Sequence, residues 1–448
     1  MVDVALLLGG PSEERGSSLD SARSVADHLE GGVVHLTEII YFDRRLRAYS
    51  IPRGLLYCNT PADLDAKLAH EGSPLTGDEL TARLRAAGLI FPVIPGEFGA
   101  DGQIQTLLER ADVPFVGSGA QACATAFDKY QTGLDKYQTG LDEYQTGLDK
   151  YQRKTARDSV EVTTIVLEGE DGPVALIPTG MSDDDTIAHL QKAVEAEFTA
   201  LGLRDFARID IRLQSDGSVL IADVQPITAL DQHSPLFRQA ARLGLTHADV
   251  LREILRSAAR RHGLPFRLQY DQPTRRGAPV AILCDGQASV PSGTNVWLKL
   301  RRSYKYAPEL YFLSPDDSVW QLSYSSALRD SAEQFEHACR EAQRLETHRR
   351  RLADQTIARL RLPAEALGAD VTPPLQLTMD EFLDRHDLVF IARPDDEGDN
   401  TTLQALFDKH EIRYNTSAPD ADPAEDSPLP PVPPRIRFER ILDLATHA

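Results

Sequence analysis

Four short stretches carry side chains suited to chemistry. Arg208-Ile-Asp210 lies in one alternating run, residues 206–213, and Asp223-Val-Gln225 closes another, residues 218–224, the two joined by Ser215-Asp216-Gly217. That pattern predicts a β-hairpin, with Arg208 and Asp210 on one strand face and Asp223 and Gln225 likewise on theirs. Two carboxylates and an amide oxygen converging there form a hard-oxygen set suited to Mg²⁺. Arg208 beside them suits negative charge developing at an acyl centre. A solvated strand pair with a surface ion pair has the same spacing. Next along the chain, Ser234 precedes Pro235 in a polar loop, where its hydroxyl would either cap a helix or receive a carboxylate. Near the start, Gly9-Gly10-Pro11-Ser12-Glu13-Glu14-Arg15-Gly16-Ser17-Ser18 turns sharply out of an apolar run. Ser17 or Ser18 would cap the following helix, and Glu14 would hold an ammonium group. The stretch 95–105, Pro-Gly-Glu-Phe-Gly-Ala-Asp-Gly-Gln-Ile-Gln, is a second polar glycine loop that would face the first.

These loops need elements to position them. Val4 to Leu8 reads as a buried parallel strand, and Ser17 to Leu29 as a helix with Leu19, Ala22, Val25, Ala26 and Leu29 on one stripe. A second strand is expected at 88–93 and a helix from Ile104. Strands are expected at 161–167 and 173–177, and helices at 186–201 and 247–262. Alternation of strand and helix predicts an α/β layer with ligand loops at strand ends, followed by an antiparallel α+β part.

From Asp128 a seven-residue unit, Asp-Lys-Tyr-Gln-Thr-Gly-Leu, repeats almost unchanged to Gln152. Its Leu and Tyr spacing allows a coiled-coil seam and hence a homodimer, but a Gly in each unit opposes a helix by roughly 1 kcal/mol. Near-identity at every position points instead to recent duplication. Later, residues 388–414 align without gaps with 89–115, and Val280-Ala-Ile-Leu283 matches Val4-Ala-Leu-Leu7, so a second, decayed copy of the first domain is expected. A charged helix is expected at 331–362. The division expected is 1–127, an α/β domain; 128–158, the heptad insert; 159–270, an α+β domain; 271–415, the second lobe; and 416–448, a disordered Pro-rich acidic tail.

With 48 Lys+Arg against 68 Asp+Glu, the 448-residue chain has a formal net charge of −20. That balance argues against a general nucleic-acid binder and against docking on anionic membranes. No apolar run reaches the ~18 residues of a membrane span, and the first ten residues lack the basic start of a signal peptide. Cys58, Cys123, Cys284 and Cys339 form no CxxC pair, which favours a reduced, cytoplasmic location.

In this order, the pieces resemble the D-alanine-D-alanine ligases of the ATP-grasp superfamily. The first glycine loop is similar to that family's GGxSxERxVSLxSA signature. LIFPVIPGEFGADGQIQTLLERADVPFVGSGAQACATAFDK (89–129) is similar to its second signature, and ARIDIRL with LIADVQPITALDQHSPLFRQAARLGL to its catalytic segment. The resemblance implies ATP- and Mg²⁺-dependent joining of two D-alanines for peptidoglycan synthesis. Carried over by position, Glu14 would orient the first D-alanine's ammonium, with Ser18 supporting it through the loop. Arg208 would stabilise the oxyanion. Asp210, Asp223 and Gln225 would hold Mg²⁺, Ser234 would receive the second carboxylate, and Lys129 would contact the nucleotide.

The sequence departs from the family in places. Pro95, Ala100, Asp223, Gln225 and Ala229 stand where the family has His, an acid, Glu, Asn and Gly. The interval after Lys129, where the family carries its ATP-binding subdomain, holds the heptads. Impaired catalysis is therefore expected, the alternative being a non-catalytic scaffold or a product of gene decay.

Overall fold

The computed structural model describes residues 2–29, 34–131, 159–178, 184–266, 277–285, 289–302, 305–328, 350–362, 367, 369–392 and 401–415. Most of the heptad insert, the whole tail and residues 331–349 of the expected charged helix lie outside the described residues. The chain divides into two compact units: residues 1–271 with 348–369, and residues 272–347 with 370–448.

Two sheets build the first unit. The first has the order β3-β2-β1-β4, with β1 (Val2–Gly9) parallel to both β2 (Val34–Phe42) and β4 (Leu89–Pro92), and β3 (Ala48–Ser50) antiparallel at the edge. Leu6, Leu7 and Leu8 are fully buried, as a strand covered on both faces requires. The helix Arg15–Leu29 packs on β1, and Gln103–Ala111 lies against the opposite core, where Ile104 and Leu108 meet Ile90 and Ile94. Two helices absent from the sequence reading, Pro61–Glu71 and Gly77–Ala86, start in capping boxes built by Thr60 with Asp63 and Thr76 with Glu79.

The second sheet is antiparallel, in the order β6-β5-β7-β8, from β5 (Val160–Glu168), β6 (Pro173–Ala175), β7 (Phe206–Leu213) and β8 (Val219–Gln225). Period-two alternation along β7, and in β8 a register shift between Ile221 and Asp223, divide its faces. Ala207, Ile209, Ile211 and Val224 pack with Leu190, Val194 and Phe198 of the helix Asp184–Ala200, which leaves Arg208, Asp210, Asp223 and Gln225 on the other face. The helices Pro235–Arg242 and His247–Arg261 follow. Residues 350–360 are helical and join this unit through Arg359, which pairs with Glu195 at 2.7 Å.

One sheet forms the second unit, in the order β12-β11-β10-β9-β13-β14: β9 (Ala278–Asp285), β10 (Tyr306–Leu313), β11 (Val319–Leu322), β12 (Leu375–Leu377), β13 (Leu388–Ala392) and β14 (Arg413–Tyr414). Its central part repeats the first sheet residue for residue. Ala5 pairs with Ile90 and Leu6 with Phe91; at the aligned positions Ala281 pairs with Val389 and Ile282 with Phe390, all parallel. Ile90 bridges Phe115, and Val389 pairs with its counterpart Tyr414. The aligned Leu108 and Phe407 are both fully buried. The internal repeat is thus carried by the fold as well as the sequence.

Candidate active site

The first glycine loop is held by Ser18. Its hydroxyl accepts from Gly9 N at 2.9 Å and donates to Val93 O at 2.6 Å, strapping the end of β1 to the end of β4. Neither Ser17 nor Ser18 caps the helix, because helical geometry already begins at Arg15; Ser18 supports the loop rather than facing a ligand. Ser12 Oγ donates to Pro95 O at 3.3 Å and accepts from Glu14 N at 3.0 Å, so the two glycine loops meet. Gly96 sits at φ +75°, where a Cβ would lie 2.9 Å from Ser12 Oγ and 3.4 Å from Glu14 Oε1; only glycine permits that approach.

Glu14 keeps exposed surface, yet its carboxyl is pushed up from the usual range by the protein packed around it, then by the charge of Asp223, while Arg208 pulls it down. The first glycine loop and the β7–β8 hairpin therefore share one electrostatic site. Across that hairpin, Asp210 stands directly opposite Asp223, and Arg208 opposite Gln225, with a register shift just after Asp210. Arg208 grips Asp210 with Nε at 3.1 Å and Nη2 at 2.7 Å. Thr163 Oγ1, from the facing position on β5, adds a bond to Asp210 Oδ1 at 2.7 Å. Asp223 accepts from Val224 N at 2.8 Å and from Gln225 Nε2 at 2.9 Å. Burial raises its carboxyl; the Gln225 bond lowers it, and Asp210 raises it again.

Concentrated negative charge opposed by one guanidinium is the environment a divalent cation relieves, so the Asp210, Asp223 and Gln225 oxygens fit Mg²⁺. Among the described residues, no group of three or more His, Cys, Asp and Glu side chains is arranged to hold a metal, and the set depends on the Gln225 amide oxygen for its third ligand.

Ser234 decides between cap and ligand. It precedes the helix Pro235–Arg242, with φ −58° and ψ 154°, but its side chain makes no cap bond. It is 2% exposed, and its Oγ has no hydrogen-bond partner. A buried hydroxyl left in that state fits a ligand oxygen.

Lys129 does not join the cluster. It lies in the π-helical turn Phe127–Gln131, whose Tyr130 packs in the core on the Asp184–Ala200 side of the sheet. There Lys129 Nζ bonds Glu197 at 2.8 Å, the contact that raises its own proton affinity, on the face opposite Arg208 and Asp210. Among the described residues, Lys129 therefore stands apart from Asp210, Asp223 and Gln225.

Sequence reasoning missed Arg15, Thr163 and Gln239. Arg15 is 4% exposed and bonds both carboxylate oxygens of Asp65 at 2.8 Å, with the Tyr41 hydroxyl beside them. Thr163 was legible in principle, since alternation along β5 puts it on the Asp210 face; the partners of Arg15 carried no local signal.

Among the described residues, no helix is long and apolar enough to cross a membrane. The family model for the D-ala D-ala ligase N-terminus matches residues 3–118, and that for the D-ala D-ala ligase C-terminus matches residues 170–256. A D-alanine–D-alanine ligase of Mycolicibacterium smegmatis is 35% identical over 144 residues, covering 29% of this chain and 38% of that protein. The one from Chlorobium phaeovibrioides is 32% identical over 140 residues, with 29% and 38% covered. The chain therefore spans 38% of the length of these curated relatives. Among solved structures, the D-alanine-D-alanine ligase from Coxiella burnetii has a TM-score of 0.47 at 21% identity, covering 59% of this chain and 96% of that one. The VanG D-Ala:D-Ser ligase from Enterococcus faecalis has a TM-score of 0.45 at 17% identity, covering 57% and 99%. Residues 3–118 and 170–256 thus match the two family models of the D-ala D-ala ligases, each over its own part of the chain.

Proposed function

We propose that this chain is a cytoplasmic D-alanine–D-alanine ligase, ATP- and Mg²⁺-dependent, serving peptidoglycan synthesis with a weakened nucleotide half. The observation that carries the reading is the shared field of Glu14, Arg208 and Asp223, contributed by two segments that both match the family. Glu14 receives the ammonium of the first D-alanine. Asp210, Asp223 and Gln225 would hold Mg²⁺. ATP, when bound with that ion, supplies the phosphoryl group that activates the first carboxylate. Arg208, whose Nε and Nη2 are committed to Asp210, stabilises the negative charge that grows on the carbonyl oxygen through the rest of its guanidinium. Ser234 Oγ donates to the carboxylate of the second D-alanine and so aims its amine at the first carbonyl carbon.

Positioning and charge stabilisation carry most of phosphoryl transfer. With Lys129 paired to Glu197 on the far face of the sheet, slow turnover is the expectation. The test is phosphate release with ATP, Mg²⁺ and D-alanine. D-alanine-dependent release well below ~1 s⁻¹, the low end of ordinary enzymes, and lost in Asp210→Asn, supports the reading. Absence of both D-alanine-dependent release and D-alanine binding by calorimetry sinks it. Release above ~1 s⁻¹ supports the ligase and overturns the weakened nucleotide half.

A further inference from the structure

Gln239 lies inside the helix Pro235–Arg242 and is fully buried. A buried amide is costly unless both its ends are bonded. Gln239 Oε1 accepts from Ile165 N at 3.0 Å, and Nε2 donates to Thr163 O at 2.8 Å. Those two backbone groups leave the same edge of β5. The neighbouring strand β6 pairs with Val166, Leu167 and Glu168, and Leu176 N just beyond it donates to Ile165 O at 2.7 Å. The side-chain amide thus carries the edge on where the chain leaves it, taking a strand's place at Ile165 N and Thr163 O.

Each end of this strap leads to the candidate site. Thr163, whose carbonyl Gln239 holds, is the residue whose hydroxyl donates to Asp210 Oδ1 at 2.7 Å. The helix that carries Gln239 starts directly after Ser234, whose buried hydroxyl has no partner. We propose that Gln239 is a positioning residue that locks the Ser234 helix to the Thr163–Asp210 pair, holding the second-substrate carboxylate site in register with the metal and acyl centre. The inference rests on the roles given above to Ser234 and Asp210.

Gln239→Met keeps the length of the side chain and removes both bonds. Thr163→Val removes the hydroxyl without changing the shape. The control is Val194→Ala, a core change on the opposite face of the sheet. Mn²⁺ affinity is read by calorimetry. Gln239→Met and Thr163→Val should each weaken it by about fivefold, and the double variant should be no worse than about twofold beyond the stronger single, because the two act through one path. Val194→Ala should leave it unchanged. In the metal-free protein, selectively labelled Thr163 and Ser234 resonances should both move in Gln239→Met and stay put in Val194→Ala.

If Gln239→Met does not fold, Gln239→Glu, which keeps the acceptor and loses the donor to Thr163, is read in the same way. Additive effects on Mn²⁺ affinity, or a Ser234 resonance that Gln239→Met leaves in place, overturn the proposal. If the unmodified chain binds no Mn²⁺, the metal reading fails, and the resonance shifts alone decide the coupling.

Discussion

Ser234→Ala separates a helix cap from a ligand site by the sign of its effect. Were Ser234 an ordinary N-cap, its loss would cost about 1 kcal/mol, within a usual range of about 0.5–2. Here Oγ makes no cap bond, and the residue is 2% exposed with that oxygen unpartnered. Leaving a hydroxyl buried and unsatisfied costs about 1–3 kcal/mol, which alanine removes. The first turn of the helix stays preorganised in the variant, because Pro235 remains at its first position. Ser234→Ala should therefore gain about 1 kcal/mol, the low end of that range. The assay is urea unfolding, read as a rise in midpoint at constant slope. The same variant should lose D-alanine binding at the second site, the pattern of a site that trades stability for function. A loss of ~0.5 kcal/mol or more would show that Ser234 acts as a cap and refute the carboxylate assignment.

Three further outcomes follow from the structure. Asp205, with a fully buried side chain, bonds Arg261 and Gly117 N, each at 2.7 Å, so Arg261→Met should cost about 3–5 kcal/mol near pH 8 by stranding a carboxylate. Burial raises the Asp205 carboxyl, so its contribution is full below the unfolded value of about 3.9 and fades as pH rises through the folded one; losing Arg261 lifts that value further, and unfolding titrations should find a smaller deficit at pH 5 than at pH 8. Glu14 is also raised, so Glu14→Gln should be more stable than the parent at pH 8, with the gap closing toward pH 4 in the same experiment. At Gly99 a Cβ would overlap the Ile94 carbonyl oxygen, so Gly99→Ala should lower the thermal midpoint and weaken D-alanine binding, whereas an unchanged midpoint would mean that the loop yields freely.

Local pattern alone determined much of this protein. Alternation put Arg208 and Asp210 on one face of β7, but the register set by the tight turn, Leu213 with Val219 and Ile211 with Ile221, would leave Asp210 opposite Ala222; the shift just after Asp210 brings Asp223 there instead. The gapless match of 388–414 to 89–115 foretold a parallel pairing that the two sheets share, down to Ala5 with Ile90 and Ala281 with Val389. Strand and helix periods depend on neighbouring residues, so they survive in a degenerate copy. What joins distant segments did not show in the sequence. Glu14 enters the field of Asp223 only when the two layers pack, Gln239 finds the open edge of β5 only when its helix docks, and Lys129 faces Glu197 because Tyr130 turns into the core behind the sheet. Each outcome depends on which faces bury against one another, a property of the assembled core that no short window of residues contains.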